Sequence, residues 1–331
     1  MKQNQFKIFL SVFMIFFAVT AKAQTESSFK PNGKPVFLIF SDVKNSFSKD
    51  GSSTAFEISR LYLGYEHFFS NSLSARAVMD VGDPGVGGLQ MTAYVKNAFL
   101  QYRTNSFSGR FGMIGTDAFG LIEKQWGHRY ISKTLQDEFG FNPSADLGVA
   151  VDYSPSEFIS FDASVLNGEG YKKLQADSAL KYTAGITLKP LGGLLLRVYA
   201  DIMKKNALQN TISFFAGYTY RNLGFGIEYA DQKSNKMINN HDYSGISAFG
   251  NLKLNDKTGL FARYDYLWSC RTNPTDPNPW NYNNDGQVIT AGFDYSPVSG
   301  IRIAPVYIGK IPANGSNPFT SAPGLYLEIK L

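Results

Sequence analysis

The stretch Lys189-Pro190-Leu191-Gly192-Gly193-Leu194-Leu195-Leu196-Arg197-Val198-Tyr199-Ala200-Asp201 decides the fold. Its Pro and Gly set a tight turn, and the turn runs straight into a period-two segment. Leu194, Leu196, Val198 and Ala200 alternate with Leu195, Arg197, Tyr199 and Asp201. Successive side chains of a strand point to opposite faces, so one face is apolar and the other carries both charges. Working outward, the pattern recurs. Leu61, Leu63 and Tyr65 alternate with Arg60 and Gly64, and Leu260, Ala262, Tyr264 and Tyr266 alternate with Arg263 and Asp265. The last segment sets Leu325, Leu327, Ile329 and Leu331 against Tyr326, Glu328 and Lys330.

The connectors between such segments are of two kinds. Tight ones lie at 69–71, 154–156, 189–192, 221–222, 255–257 and 296–299; long polar ones, including 116–144, 167–178, 232–242 and 269–284, lie between them. This predicts strands near 36–45, 55–68, 72–81, 91–104, 107–115, 145–154, 157–166, 179–189, 193–203, 210–220, 222–231, 242–253, 258–268, 285–295, 300–309 and 322–331. An even total of about 16 strands, with short turns at one rim and long loops at the other, is the plan of an all-β, up-and-down antiparallel transmembrane barrel. Its short turns would be periplasmic and its long loops extracellular. Aromatic residues flank the short turns, among them Phe68, Phe69, Tyr102, Phe107, Tyr153, Phe158, Tyr218, Tyr220, Phe225, Phe293 and Tyr295. A girdle of rings at one rim suits the interface between lipid and water. A soluble sandwich or lipocalin-like barrel would also alternate, but so long an unbroken series of strands exceeds those folds.

The chain start fits delivery to a Gram-negative outer membrane. Lys2 and Lys7 precede the apolar run Ile8 to Thr20, and Ala21-Lys22-Ala23 has the small-x-small form of a cleavage site. Residues 1–23 therefore read as a secretory signal, 24–35 as a lead-in and 36–331 as the barrel. The apolar run is shorter than the roughly 20 residues that span a bilayer as a helix. Without Lys2, Lys7 and Lys22 the 32 basic residues become 29 against 27 acidic ones, which excludes a strongly basic nucleic-acid-binding surface. Cys270 is the only cysteine, so no disulfide forms within the chain.

Parity assigns the charges. Placing Arg or Lys on the lipid face near the midplane costs on the order of 2 to 4 kcal/mol, so charged positions are expected to face the lumen. The inward basic set is Arg60, Arg76, Lys96, Arg110, Lys181, Arg197, Arg263 and Arg302, and the inward acids are Glu66, Asp80, Asp201, Glu228, Asp265 and Glu328. Tyr94 to Tyr102 is apolar on both parities, which leaves Lys96 the least determined. These charges either line a path for solutes or pair across strands and brace the wall.

Loop 116–144 is the longest, and its stretch Gln125 to Glu138 has the composition of a short helix. Glu123, Trp126, His128, Arg129 and Lys133 are its candidate constriction residues. The run Glu123 to Thr134, then Ser144-Ala145-Asp146-Leu147-Gly148, together with Arg60-Leu61-Tyr62-Leu63-Gly64 and the inward arginines, resembles the phosphate-selective porin O and P group and its Bacteroidetes-type relatives. The resemblance implies a 16-stranded passive channel, commonly a homotrimer, with an infolded third loop and basic residues along an anion path. Here the acids are nearly as many as the bases, which points to a weak anion preference at most.

Other chemistry has little support. His67, His128 and His241 fall in separate regions, so a shared metal site is not expected. Ser132 beside His128 is the only local nucleophile and base, with no third orienting group by spacing. The expectation is therefore a porin passing small hydrophilic solutes or anions through outer-membrane lipid, with no enzyme activity and no cofactor. A non-conducting barrel serving as adhesin or structural protein is the alternative.

Overall fold

A computed structural model describes residues 29–49, 51–82, 91–314 and 319–331. The expected signal, residues 1–23, lies outside the described residues. Sixteen strands close into one antiparallel barrel in which each strand pairs with its sequence neighbours and the last returns to the first. They are β1 Asn32–Ser48, β2 Gly51–Phe68, β3 Leu73–Gly82, β4 Thr92–Arg103, β5 Phe107–Gly115, β6 Ala145–Tyr153, β7 Ile159–Leu166 and β8 Lys181–Leu188. The second half comprises β9 Leu194–Lys204, β10 Leu208–Tyr220, β11 Leu223–Lys233, β12 Tyr243–Lys253, β13 Thr258–Ser269, β14 Gly286–Tyr295, β15 Ile301–Pro312 and β16 Thr320–Lys330. Closure sets Ile39 opposite Ile329 and leaves no open edge, the condition for backbone in lipid. No helix among the described residues is long and apolar enough to cross a membrane.

Alternation puts Leu63, Val198, Ile212, Ile227, Leu260 and Leu325 on the outer surface. Phe69, Tyr153, Phe158, Tyr218, Phe225 and Tyr295 are exposed at the short-turn rim, where the sequence placed its girdle. The turn before β9 needs glycine. Gly193 has φ +84°, and a Cβ there would run into the Thr219 carbonyl.

Three features differ from expectation. The rim alternation is incomplete, because on the long-loop side β2 starts at Gly51 soon after β1 ends at Ser48, and only Lys205-Asn206-Ala207 separate β9 from β10. At the first of these the chain is used as strand instead, since β1 has 17 residues and β2 has 18. The lead-in is correspondingly shorter, β1 starting at Asn32 rather than near 36. Finally, Gln125 to Glu138 is not one helix. Helix α1 (Gly120–Trp126) stops at Gly127, whose left-handed φ of 71° lets its N–H close on Glu123 O, and a short α2 (Leu135–Glu138) follows.

Two β-bulges shift parity within strands. Phe40 pairs with Arg60 and Ser41 with Ile58, so Ser59 is an extra residue in β2. Val78 pairs with Asn97 and Met79 with Val95, so Lys96 is an extra residue in β4. Each bulge lets two successive residues leave strict alternation. That is why Tyr94 to Tyr102 gave no clean period.

Candidate functional site: the lumen and its infolded loop

Loop 116–144 turns into the barrel after β5. Phe119, Ile122, Trp126 and Tyr130 form one apolar cluster with Phe40, Tyr199, Phe215, Phe249, Phe261 and Tyr326 from the inner wall. Trp126 is fully buried, with its ring 5.4 Å from Phe249 and 5.9 Å from Phe261, both edge to face. The sequence reading assigned lumen positions by charge and so passed over this apolar wall. Its signal was present in Phe214-Phe215 and Leu260-Phe261, where apolar residues occupy both parities of a strand.

Polar groups fasten the loop where the apolar cluster does not. Arg197 on β9 is bidentate to Asp162, at 2.7 and 2.9 Å, and donates from Nη2 to the Asp117 carbonyl at 2.7 Å. Arg302 on β15 pairs through Nε with Glu328 and donates from Nη1 to Gly127 O at 2.8 Å. Arg263 on β13 pairs with Asp265 at 2.9 Å and donates to Lys133 O at 2.5 Å. Three wall arginines, each held by a wall carboxylate, thus catch the loop at Asp117 near its start and at Gly127 and Lys133 in its middle. Planar guanidinium suits this double duty because its five donors form a fixed fork. Arg110 joins Asp117 at 2.8 Å and Asp152 at 3.2 Å. Burial pushes the Asp117 carboxyl above its ordinary value despite the arginine beside it.

The predicted lumen residues consequently divide. Lys181, Arg197, Asp201 and Glu228 are buried against the wall under the loop, Lys181 on Asn142 at 2.7 Å and Glu228 accepting from Gln136 at 2.8 Å. Trp126 and His128 are buried too. Arg76 pairs with Glu66 at 3.2 Å toward the short-turn rim. Arg60, Arg263, Asp265, Arg129 and Lys133 border a cavity of about 800 Å³ at the long-loop end. Arg129 is paired there with Glu123 at 3.0 Å and Asp137 at 3.4 Å. Lys96 contacts Tyr62 and Ser144.

The cavity has further charged walls that the sequence reading missed. Lys44 sits between Asp42 at 3.2 Å and Glu57 at 2.7 Å, and Glu138, Asp285 and Lys310 complete the set. Period two would have placed Asp42 and Lys44 inward, but the bulge at Ser59 hid Glu57. Asp285 accepts from Ser269 and Asn281, yet burial still raises its pKa. The cavity is thereby lined by six basic and five acidic side chains, an almost balanced set.

Nucleophilic catalysis finds no geometry at Ser132. His128 Nδ1 lies 2.8 Å from Trp126 O and Nε2 3.3 Å from Asp294 Oδ1, so both ring nitrogens face other oxygens. The Ser132 hydroxyl has no hydrogen-bond partner.

A closed sixteen-strand antiparallel barrel with a loop folded into its lumen belongs to the architecture of outer-membrane barrels. No family model and no curated protein matches the chain. Among solved structures it is similar to the outer membrane channel DcaP of Acinetobacter baumannii, with a TM-score of 0.69 and 12% identity over 93% of this chain and 100% of that one. It is also similar to OprB of Pseudomonas putida, at a TM-score of 0.71 and 9% identity over 90% and 94% of the two chains. Outer-membrane OmpT of Vibrio cholerae follows at 0.64 and 16%, over 92% and 99%. At such identities the likeness is one of fold.

Proposed function

We propose that the protein is an outer-membrane porin, a passive diffusion channel for small hydrophilic solutes. The observation that carries this is the half-filled lumen: the infolded loop occupies part of the bore and leaves an 800 Å³ vestibule with charged walls. A barrel that served only as a scaffold would have no need of a charged cavity at its long-loop end. Solutes shed little hydration in such a space, and wall charges set which ions pass. The apolar outer band, the rim aromatics and the secretory start at residues 1–23 support outer-membrane residence.

Diffusion needs neither cofactor nor catalytic group. A homotrimer is consistent with the resemblance to phosphate-selective porins and with a structure similar to this chain, described as a trimer form. Phosphate selection is not part of the proposal, because most lumen arginines already hold a carboxylate. The purified protein is expected to produce discrete conductance steps in a planar bilayer. Folded, inserted protein without steps would leave the non-conducting barrel as the reading.

A further inference from the structure

The short-turn rim of the barrel is strongly basic. Eight basic residues are exposed there: Lys30, Lys189, Arg221 and Lys257 lie in the turns or before β1, and Lys34, Arg103, Lys253 and Lys330 lie at strand ends. Among the described residues Glu157 and Asp256 are the only exposed acids on this rim. Lys34 pairs with Glu66 at 3.4 Å and Lys253 with Asp256 at 2.9 Å, and the other six cations form no ion pair among the described residues.

Apolar side chains stand among these cations. Leu191, Leu254 and Val298 sit on three of the turns and are 68%, 48% and 60% exposed. Arg221 lies 5.1 Å from the centre of the Tyr220 ring, and Lys34 lies 5.5 Å from that of Phe68. Between the turn before β7 and the turn before β9 runs a groove of about 700 Å³, lined by Phe158, Leu191 and Leu194 with Lys189 and Glu157 beside them.

We infer that this rim binds anionic phospholipid, the phosphodiester headgroups of the periplasmic leaflet, with the groove at Lys189 as one defined seat. The inference rests on membrane residence and not on conduction. Basic side chains beside a bilayer are attracted to anionic headgroups, and their stems lie along apolar surface while the charge reaches the phosphate layer. A soluble acidic polymer would engage the cations but leave Leu191, Leu254 and Val298 in water. The headgroup layer covers both kinds of side chain. Placement agrees, because the cations lie before β9, β11 and β13 and at the rim ends of β1, β4, β12 and β16. They follow the perimeter, where lipid is, instead of gathering in one patch.

The test is electron spin resonance of the full-length protein in phosphatidylcholine vesicles carrying traces of spin-labelled phosphatidylglycerol or phosphatidylcholine, where the immobilised fraction reports contact with protein. Wild type is expected to favour phosphatidylglycerol about fivefold, the effect of one basic side chain near an anionic surface, and to lose the preference at high salt. Lys189→Gln combined with Arg221→Gln and Lys257→Gln should bring the ratio close to one. The same charge change at the long-loop rim, Lys204→Gln with Lys205→Gln and Lys236→Gln, should leave it unchanged. Should the triple rim variant fail to insert, Lys189→Gln alone decides, with a smaller loss of preference expected. A ratio near one in wild type, a ratio kept by the rim variants, or an equal loss in the long-loop variant would overturn the inference and leave membrane residence standing. If wild type does not insert into vesicles, membrane residence itself fails and the inference falls with it.

Discussion

The inner wall has a dry side and a wet side. On β9, β10, β12 and β13 the wall offers Tyr199, Phe215, Phe249 and Phe261 to the infolded loop, and the charges there are buried clamps, of which Arg263 and Asp265 also reach the border of the cavity. On β1 and β2 it offers Asp42, Lys44, Glu57 and Arg60 to a water-accessible cavity. The difference teaches that a lumen charge has two uses, and that the loop decides which. A guanidinium under the loop fixes the shape of the bore; one beside it meets the solute. Fixing matters because a bore bordered by a detached loop would have no defined width.

The comparison breaks most visibly if the dry side is opened. Trp126→Ala should cost about 3 to 5 kcal/mol, as large aromatic truncations in cores do. Arg263→Met should cost about as much, because Asp265 is then left buried and unpaired. Urea unfolding of the reconstituted protein measures both, and recordings should show irregular current levels as the loop works loose. Arg263→Met combined with Asp265→Leu should recover most of the loss, since a buried ion pair is replaceable by apolar groups of similar size. No recovery in the double variant would mean that the Lys133 carbonyl contact dominates.

Between the two sides stands the loop after β7. Tyr171→Phe removes one hydroxyl bonded to a fully buried carboxylate and should cost about 1.5 to 3 kcal/mol, the range for hydrogen bonds to charged groups. Faster cleavage by added protease within residues 167–180 would report the loosened loop. An unchanged cleavage rate would assign its anchoring to Asp146, which accepts the Gly168 N–H at 2.6 Å.

The barrel itself was legible in the sequence because period two and short turns are local signals. Sixteen strands form in the expected order, with β1 and β2 longer than alternation marked them, and Arg60 and Arg263 border the lumen cavity while Arg197 bonds to the loop inside it. The two sides of the lumen were not legible. Arg302 and the Gly127 carbonyl it holds are 175 residues apart, and nothing local to either marks the contact. The bulges were hidden for a related reason. One inserted residue at Ser59 or Lys96 changes which face follows it, yet leaves no composition signature of its own. The composition of the loop marks Trp126, His128 and Lys133 alike, and only packing separates the first two, which are buried, from the third, which borders the cavity.

The smallest structural effect is expected on the wet side, at Glu57. Its side chain is 48% exposed and its partner Lys44 is 28% exposed, with Asp42 on the other flank of the lysine. Exposed pairs contribute about 0 to 1 kcal/mol, so Glu57→Gln should leave unfolding nearly unchanged. Its consequence should lie in conduction instead. Removing one of five acidic side chains from the cavity wall leaves six basic ones, and the reversal potential in a salt gradient should move toward anions. Arg129→Gln with Lys133→Gln should move it the opposite way, because Glu123 and Asp137 are left uncovered on the loop. A large stability loss from Glu57→Gln without any shift in selectivity would show that the wet side braces the barrel as the dry side does, and the division of the lumen would fail.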